Sequence, residues 1–313
     1  MPQSLQNERQ VLNLDYMGLA EVPVLGRYEY RSAHPGLRTH THPRTVEICY
    51  LVRGYQTYRA GGREYHLVGG DVFVTPPGEP HDTGGHAEER GILYWLNLRI
   101  PDRGESMLML PVAESAALRT KLSSLPQRHF PGKPILKQIF NDIFALCEKP
   151  AKPLVRVAIV NQLVRFVLEV INCAHHRESL HCSPRIARIA ERIRSDPSQN
   201  YLLADLADEA GLSLSRFKTK FKAQLGIAPR EFILRCKVDA AKRSLLNQDR
   251  KVTDTAMELG FSSSQYFATV FKRFTQQTPV EFSTKGPAVP LLPATGPQTV
   301  ASRVSMYDSV SRH

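Results

Sequence analysis

Ser215, Lys218, Thr219 and Lys222 stand at i, i+3, i+4 and i+7, so on a helix they share one face. Gln265, Thr269 and Lys272 repeat much of that pattern about fifty residues later. Hydroxyl, amide and ammonium groups so arranged suit a hydrogen-bonding, anionic partner. The faces opposite are apolar. Phe217, Phe221 and Leu225 fall at i, i+4 and i+8, and Phe267, Phe271 and Phe274 do the same work in the second copy. Before the first of these helices, Leu206, Ala207 and Ala210 form a stripe that ends at Gly211, a residue able to take the left-handed conformation that stops a helix. Ser213 can then cap the next helix. Two short helices, a glycine turn and a polar, basic outer face describe a helix-turn-helix.

The repeat runs from Leu203–Phe232 to Val252–Phe282. Ala207, Glu209 and Gly211 align with Ala256, Glu258 and Gly260. One extra residue then brings Phe217, Phe221, Pro229 and Phe232 onto Phe267, Phe271, Pro279 and Phe282. Two copies are too few to cap and stack a solenoid, so they read as two copies of one small module. Pro229 to Leu246 reads as a helix joining them, a stiff rod that would hold the motifs apart. Major-groove segments on one side of B-DNA recur at roughly 34 Å, so one chain could present both second helices to adjacent grooves.

The pattern A-x-x-x-G-[LF]-S, the aromatic–basic pair and the closing P-x-E-F resemble the DNA-binding domain of AraC/XylS transcription regulators, over about a third of the chain, from Pro184 to Lys285. The resemblance implies base-reading positions at Ser215, Lys218 and Thr219, and at Ser264, Gln265 and Thr269. Arg216, Lys222, Lys272 and Arg273 suit phosphates, which position without specifying. The second set is poor in charge, so the first motif is expected to dominate base discrimination. The plainer alternative is a helical bundle with a solvated basic face. Against it, Pro184–Lys285 carries 18 Lys and Arg to 11 Asp and Glu, most of the chain's net +11.

At 313 residues the chain has room for two domains with their own cores. A pI near 9.5 favours an acidic partner. No apolar run approaches the roughly 18 residues of a membrane span, and the N-terminus lacks signal-peptide features. Cys49, Cys147, Cys173, Cys182 and Cys236 are scattered and odd in number, as expected of a reducing compartment. The expected location is the cytoplasm and its nucleoid.

Residues 20 to 100 read as short strands between glycine and proline turns: VPVLGRYEYRSA, VEICYLV, YQTYRA, REYHLV, GDVFVTPPG and GILYWLNLRI. Tyr55–Arg59, the Gly61–Gly62 turn and Arg63–Leu67 form a hairpin, and so many short strands suggest a sandwich or barrel. His40 and His42 place two imidazoles on one side of an extended segment. Together with Glu47, Gly54 and the run from Gly70 to His81, this resembles the two cupin motifs. The glycine before the first histidine is displaced to Gly36, and Gly85 stands where Asn is usual. The resemblance puts His40, His42, Glu47 and His81 at the family's metal-ligand positions. Three imidazoles and a carboxylate suit one divalent ion such as Zn, Ni, Fe or Mn. The alternative is a metal-free polar pocket, but with all four ligand types in place a metal is expected. Arg38, Tyr50 and Trp95, with Tyr94 beside it, are candidates for contacting an effector.

Residues 105 to 180 read as helices. Val160, Leu163, Val164, Val167 and Ile171 form a stripe that would either pair two protomers or pack on the chain's own barrel. The polar stretch with His175, His176, His181 and Cys182 reads as a linker, and the proline- and glycine-rich segment 286–313 as a tail. The expected architecture is α+β with two domains: a cupin β-barrel at 1–104, helices at 105–180, and an all-α domain with two helix-turn-helix motifs at 184–285. By resemblance this is a homodimeric transcription activator, not an enzyme, that binds double-stranded DNA, a small polar effector such as a sugar, and RNA polymerase. The competing reading is a metal-dependent cupin enzyme, an isomerase or dioxygenase, tethered to DNA. A third is a barrel that only dimerises.

Overall fold

A computed structural model describes residues 8–150, 152–175, 183–246 and 250–286. His176, His181, Cys182 and the expected tail past Gly286 lie outside them. In the N-terminal half, strands β1 (Arg9–Leu12), β2 (Val24–Tyr30), β7 (Gly91–Arg99), β3 (Thr45–Ala60), β5 (Asp71–Thr75) and β8 (His129–Pro131) hydrogen-bond in that order. Strands β4 (Arg63–Val68) and β6 (His81–Asp82) pair with the far half of β3. All these pairs are antiparallel.

The segments VEICYLV and YQTYRA, read as separate strands, are one. Gly54 takes φ +113, and the register against β7 slips between Leu51 and Arg53. That bulge bends β3, so its first half pairs with β5 and its second with β4 and β6. The expected hairpin is present, with Gly61 and Gly62 both at positive φ as its two-residue turn requires.

Side-chain alternation gives the sheet two apolar faces. Tyr28, Tyr58, Phe73, Leu93 and Trp95 pack together on one. Ile48, Tyr50, Val72, Tyr94 and Leu96 on the other are covered by α1 (Val112–Ser123), α2 (Ile135–Cys147) and α3 (Pro153–His175). This corrects the dimer stripe. Leu163 and Val167 are fully buried, and Val160 and Ile171 nearly so, all in that intramolecular core. At about 1.5–3 kcal/mol per buried aliphatic side chain, the protomer's own packing claims them. Val164 is half-buried, and the face α3 leaves outward carries Leu154, Val157 and Leu168.

The C-terminal half is helical: α4 (Pro184–Ser195), α5 (Leu203–Glu209), α6 (Leu214–Leu225), α7 (Pro229–Leu245), α8 (Val252–Glu258), α9 (Ser264–Thr275) and α10 (Pro279–Lys285). The repeat register holds: α5 and α8 each have 7 residues, α6 and α9 each have 12. Helix α4, which lies before the repeat begins, supplies Ile186, Ile189 and Ile193 to the first motif's core. The second motif has its own core around Phe267, Phe271 and Phe282. Tyr55 and Val68 of the β domain pack into the first core, so the two halves are docked.

Candidate metal centre and nucleic-acid interface

His40 and His42 precede β3, Glu47 lies within it, and His81 opens β6. An isolated bridge pairs His40 with His81, which closes the four side chains into one group. Each offers a donor atom, and these atoms lie within 4.8 Å of one another. The His81 Nε2 is 2.7 Å from Glu47 Oε2, and His42 Nε2 is 3.9 Å from Glu47 Oε1. Backbone carbonyls hold the other ring nitrogens. His40 Nδ1 lies 2.8 Å from the Arg38 carbonyl, and His81 Nδ1 lies 3.0 Å from that of Glu79. Anchoring Nδ1–H to a carbonyl turns Nε2 inward, the arrangement seen behind metal-ligating histidines, although in His81 that nitrogen is engaged by Glu47. Asn97 of β7 adds a contact at 3.3 Å to His42 Nε2, a neighbour the motif spacing could not reveal.

Electrostatics hold His40, His42 and Glu47 in ligand-ready form, whereas His81, raised by Glu47, must give up a proton to bind a metal. Burial lowers the pKa of His40 and of His42, which keeps them neutral near pH 7 and available as ligands. Burial works against the charged forms of Glu47 and His81 too. Their mutual hydrogen bond and opposite charges outweigh it, lowering Glu47 and raising His81. A carboxylate held ionised among three imidazoles fits a divalent ion.

The expected effector contacts are not brought together. Arg38 is exposed and offers its carbonyl to His40. Tyr50 and Tyr94 belong to the face beneath the helices, where Tyr94 stacks on Phe140 and donates to Asn141 Oδ1 at 2.7 Å. Trp95 lies on the opposite face, 4% exposed, pressed against Gly26 and covered by the Arg9 guanidinium at 4.7 Å. It is a core residue in this state.

On the helical domain the two second helices present equivalent faces. Ser213 caps α6 and Ser263 caps α9, each side chain accepting from the backbone three residues on. Ser215, Arg216, Lys218, Thr219 and Lys222 are exposed, as are Gln265, Thr269, Lys272 and Arg273, while Ser264 is half-buried. The exposed face of α9 also carries Tyr266, which pattern reading passed over. Thr269 turns its hydroxyl back to the Gln265 carbonyl at 3.0 Å. Arg273 ion-pairs with Glu231 at 3.2 Å, and with Lys222 it lines a cleft of about 270 Å³ facing Arg31, Arg53 and Arg90 of the β domain. These two cations therefore stand where the domains meet.

Residues 23–164 match the model of an AraC-like ligand-binding domain, and residues 206–285 that of a helix-turn-helix domain. The arabinose operon regulatory protein of Escherichia coli is 29% identical over 74% of this chain and 77% of its own length. An uncharacterised HTH-type transcriptional regulator of Staphylococcus aureus is 28% identical over 42% of this chain, a match spanning 18% of that protein. Among solved structures, the C-terminal domain of AraT, a response regulator from Geobacillus stearothermophilus, is 21% identical over 36% of this chain and 94% of its own, with a TM-score of 0.32. The matched domains and relatives are those of a transcription regulator rather than an enzyme.

Proposed function

The chain belongs to the AraC-type regulators, and from that premise we propose that it binds duplex DNA through α6 and α9 and changes its grip when a small polar effector enters the β domain. The observation that carries this is the duplication: two helices of 12 residues, each serine-capped, each exposing hydroxyl and basic side chains over a phenylalanine-packed face. Lys218 and Thr219 on α6 and Gln265 and Thr269 on α9 would read base edges. Arg216, Lys222, Lys272 and Arg273 would hold phosphates, the second and fourth also facing the β domain.

His40, His42, Glu47 and His81 would hold one divalent ion, with Asn97 beside His42. Such an ion would supply a Lewis-acidic point for a hydroxyl or carboxylate oxygen of the effector. A sugar or related metabolite fits that chemistry. The chain offers two routes from this site to the DNA-binding half. Strand β3 carries Glu47 and, past its bulge, Tyr55 in the first motif's core. The segment after His81 carries Glu89, which ion-pairs with Arg235 on α7, the rod between the motifs. A shift at either end would alter the spacing of α6 and α9.

Two protomers would pair through the outward face of α3 and the groove it forms with α1, lined by Leu118, Val164 and Leu168. The reading extends to activation through RNA polymerase and to the cytoplasm as location; among the described residues no helix is long and apolar enough to cross a membrane.

Selection from a random duplex library with the full chain tests the proposal. Two sequence blocks one helical turn apart are expected; an unenriched library would refute it. For the ion, elemental analysis of the protein refolded with zinc or nickel should give about one ion per chain, lost in Glu47→Gln and His81→Ala. Equal content in all three would refute that ligand set.

A further inference from the structure

Asn97 on β7 stands directly across from Glu47 on β3. Directly opposed residues project from the same face of a sheet, with Cβ atoms about 5 Å apart, so the amide and the carboxylate leave the same wall side by side. The Asn97 side chain ends with Nδ2 at 3.3 Å from His42 Nε2. That is the ring nitrogen lying 3.9 Å from Glu47 Oε1. Asn97 therefore meets the imidazole on the side turned toward the four-residue group, whereas a merely supporting residue holds a ligating histidine by its other nitrogen. Asn97 is 3% exposed, and its Oδ1 is buried with no hydrogen-bond donor. A buried carbonyl oxygen left unpaired is costly, so something in the occupied site completes it.

An ion on His42 Nε2 changes what Asn97 can do. The lone pair of that nitrogen is then committed to the ion and no longer accepts from Nδ2–H. The two ends of an amide are nearly equal in size, so turning the group over exchanges them without displacing neighbours. The acceptor that had no partner then faces a cation. We propose, resting on the reading of His40, His42, Glu47 and His81 as a metal site, that Asn97 is a fifth protein ligand through Oδ1 and sets the choice of metal. Three imidazoles, a carboxylate and an amide oxygen exceed the four donors of a tetrahedral zinc site. They suit a six-coordinate ion such as nickel or manganese, with one position left for an oxygen of the effector.

Competition titrations of the full chain against a chromophoric chelator, with nickel, manganese(II) and zinc in turn, test this. Asn97→Leu keeps the side-chain volume and removes the donor. It should weaken nickel and manganese at least about tenfold and zinc by less than about threefold. Asn97→Asp, which restores an oxygen donor, should recover the loss. Water-proton relaxation by bound manganese should report one more water on the ion in Asn97→Leu than in the unsubstituted chain. Equal losses for all three metals, no loss for any, failure of Asn97→Asp to recover it, or an unchanged water count each overturn the assignment. If metal content depends on Glu47 but not on Asn97, this ligand alone falls; if the unsubstituted chain binds none of the three metals, the whole ligand set falls with it. A nickel-loaded crystal with water in place of Oδ1 on the ion overturns the assignment without recourse to any variant.

Discussion

Gly226, at the end of α6, sits at φ +65, and a Cβ built there would lie 2.2 Å from the backbone nitrogen of Gly69 and 2.3 Å from its Cα. Gly69 faces a similar block, its own Cβ falling 2.7 Å from Gly226 Cα. The two domains meet here backbone to backbone, with Gly54 donating to the Gly226 carbonyl at 3.4 Å. Gly226→Ala therefore imposes two separate costs. The left-handed conformation costs about 1–2 kcal/mol with any L side chain. The overlap cannot be relieved by rotating a side chain, so the domains must part by about 1 Å, which forfeits up to half of each dispersion contact across the seam. Complete undocking would in addition uncover Tyr55, 6% exposed and under Arg235, worth about 2–3 kcal/mol in burial and about 2 kcal/mol in cation–π attraction. Gly211→Ala is the matched control. Its φ is +68, but the added Cβ would meet only the end of the Arg185 side chain, at 2.4 Å. The control should lose about 1–2 kcal/mol and stay docked. The test variant should scatter X-rays with a larger radius of gyration and melt in two transitions. If Gly226→Ala matches Gly211→Ala in scattering and melting, the domains are not held as described.

Three shorter expectations follow from the same geometry. Lys218→Ala should cost about 1–3 kcal/mol of specific binding and relax preference at one base, while Lys272→Ala weakens all sequences alike and flattens the salt dependence; equal losses on specific and random DNA, by fluorescence anisotropy, would refute the division. Leu168→Glu and Val157→Glu should shift sedimentation from dimer to monomer without lowering the protomer's melting temperature, because both side chains are about half exposed; an unchanged sedimentation coefficient counts against that face. Burial and Lys242 push His86 down to about 3 from 6.5, so the unfolded chain binds the extra proton first. That contribution is complete above pH 6.5 and is lost on acidification toward pH 3, by up to about 1.4 kcal/mol per pH unit. His86→Gln should flatten this slope in denaturant titrations; a slope equal to that of the unsubstituted chain would show His86 is not its source.

What could be read from the sequence, and what could not, divides by the range of the interaction involved. Helix phase is local, so the faces of α6 and α9, their serine caps and the stop at Gly211 were legible from spacing alone. That His40, His42, Glu47 and His81 converge was legible through the cupin resemblance, whose motif spacing encodes strand geometry. Helix α3 shows the limit of that method. Its apolar stripe was visible, but periodicity tells which residues share a face and says nothing about what covers it; α2 and the short strand β8, with Phe130 in the same core, took Leu163 and Val167. Trp95 and Tyr50 failed for a related reason, since alternation on neighbouring strands put them on opposite sides of the sheet. The seam was the least visible feature. Arg235 and Asp239 look like ordinary solvated charges on a basic helix, and Tyr55 like one more residue of a hairpin. Only the partner across the fold makes a buried guanidinium of the one and a lid of the other. The charges buried where the domains meet are therefore the ones the sequence disguises best as surface, whereas those proposed for DNA keep the solvent exposure that their spacing announces.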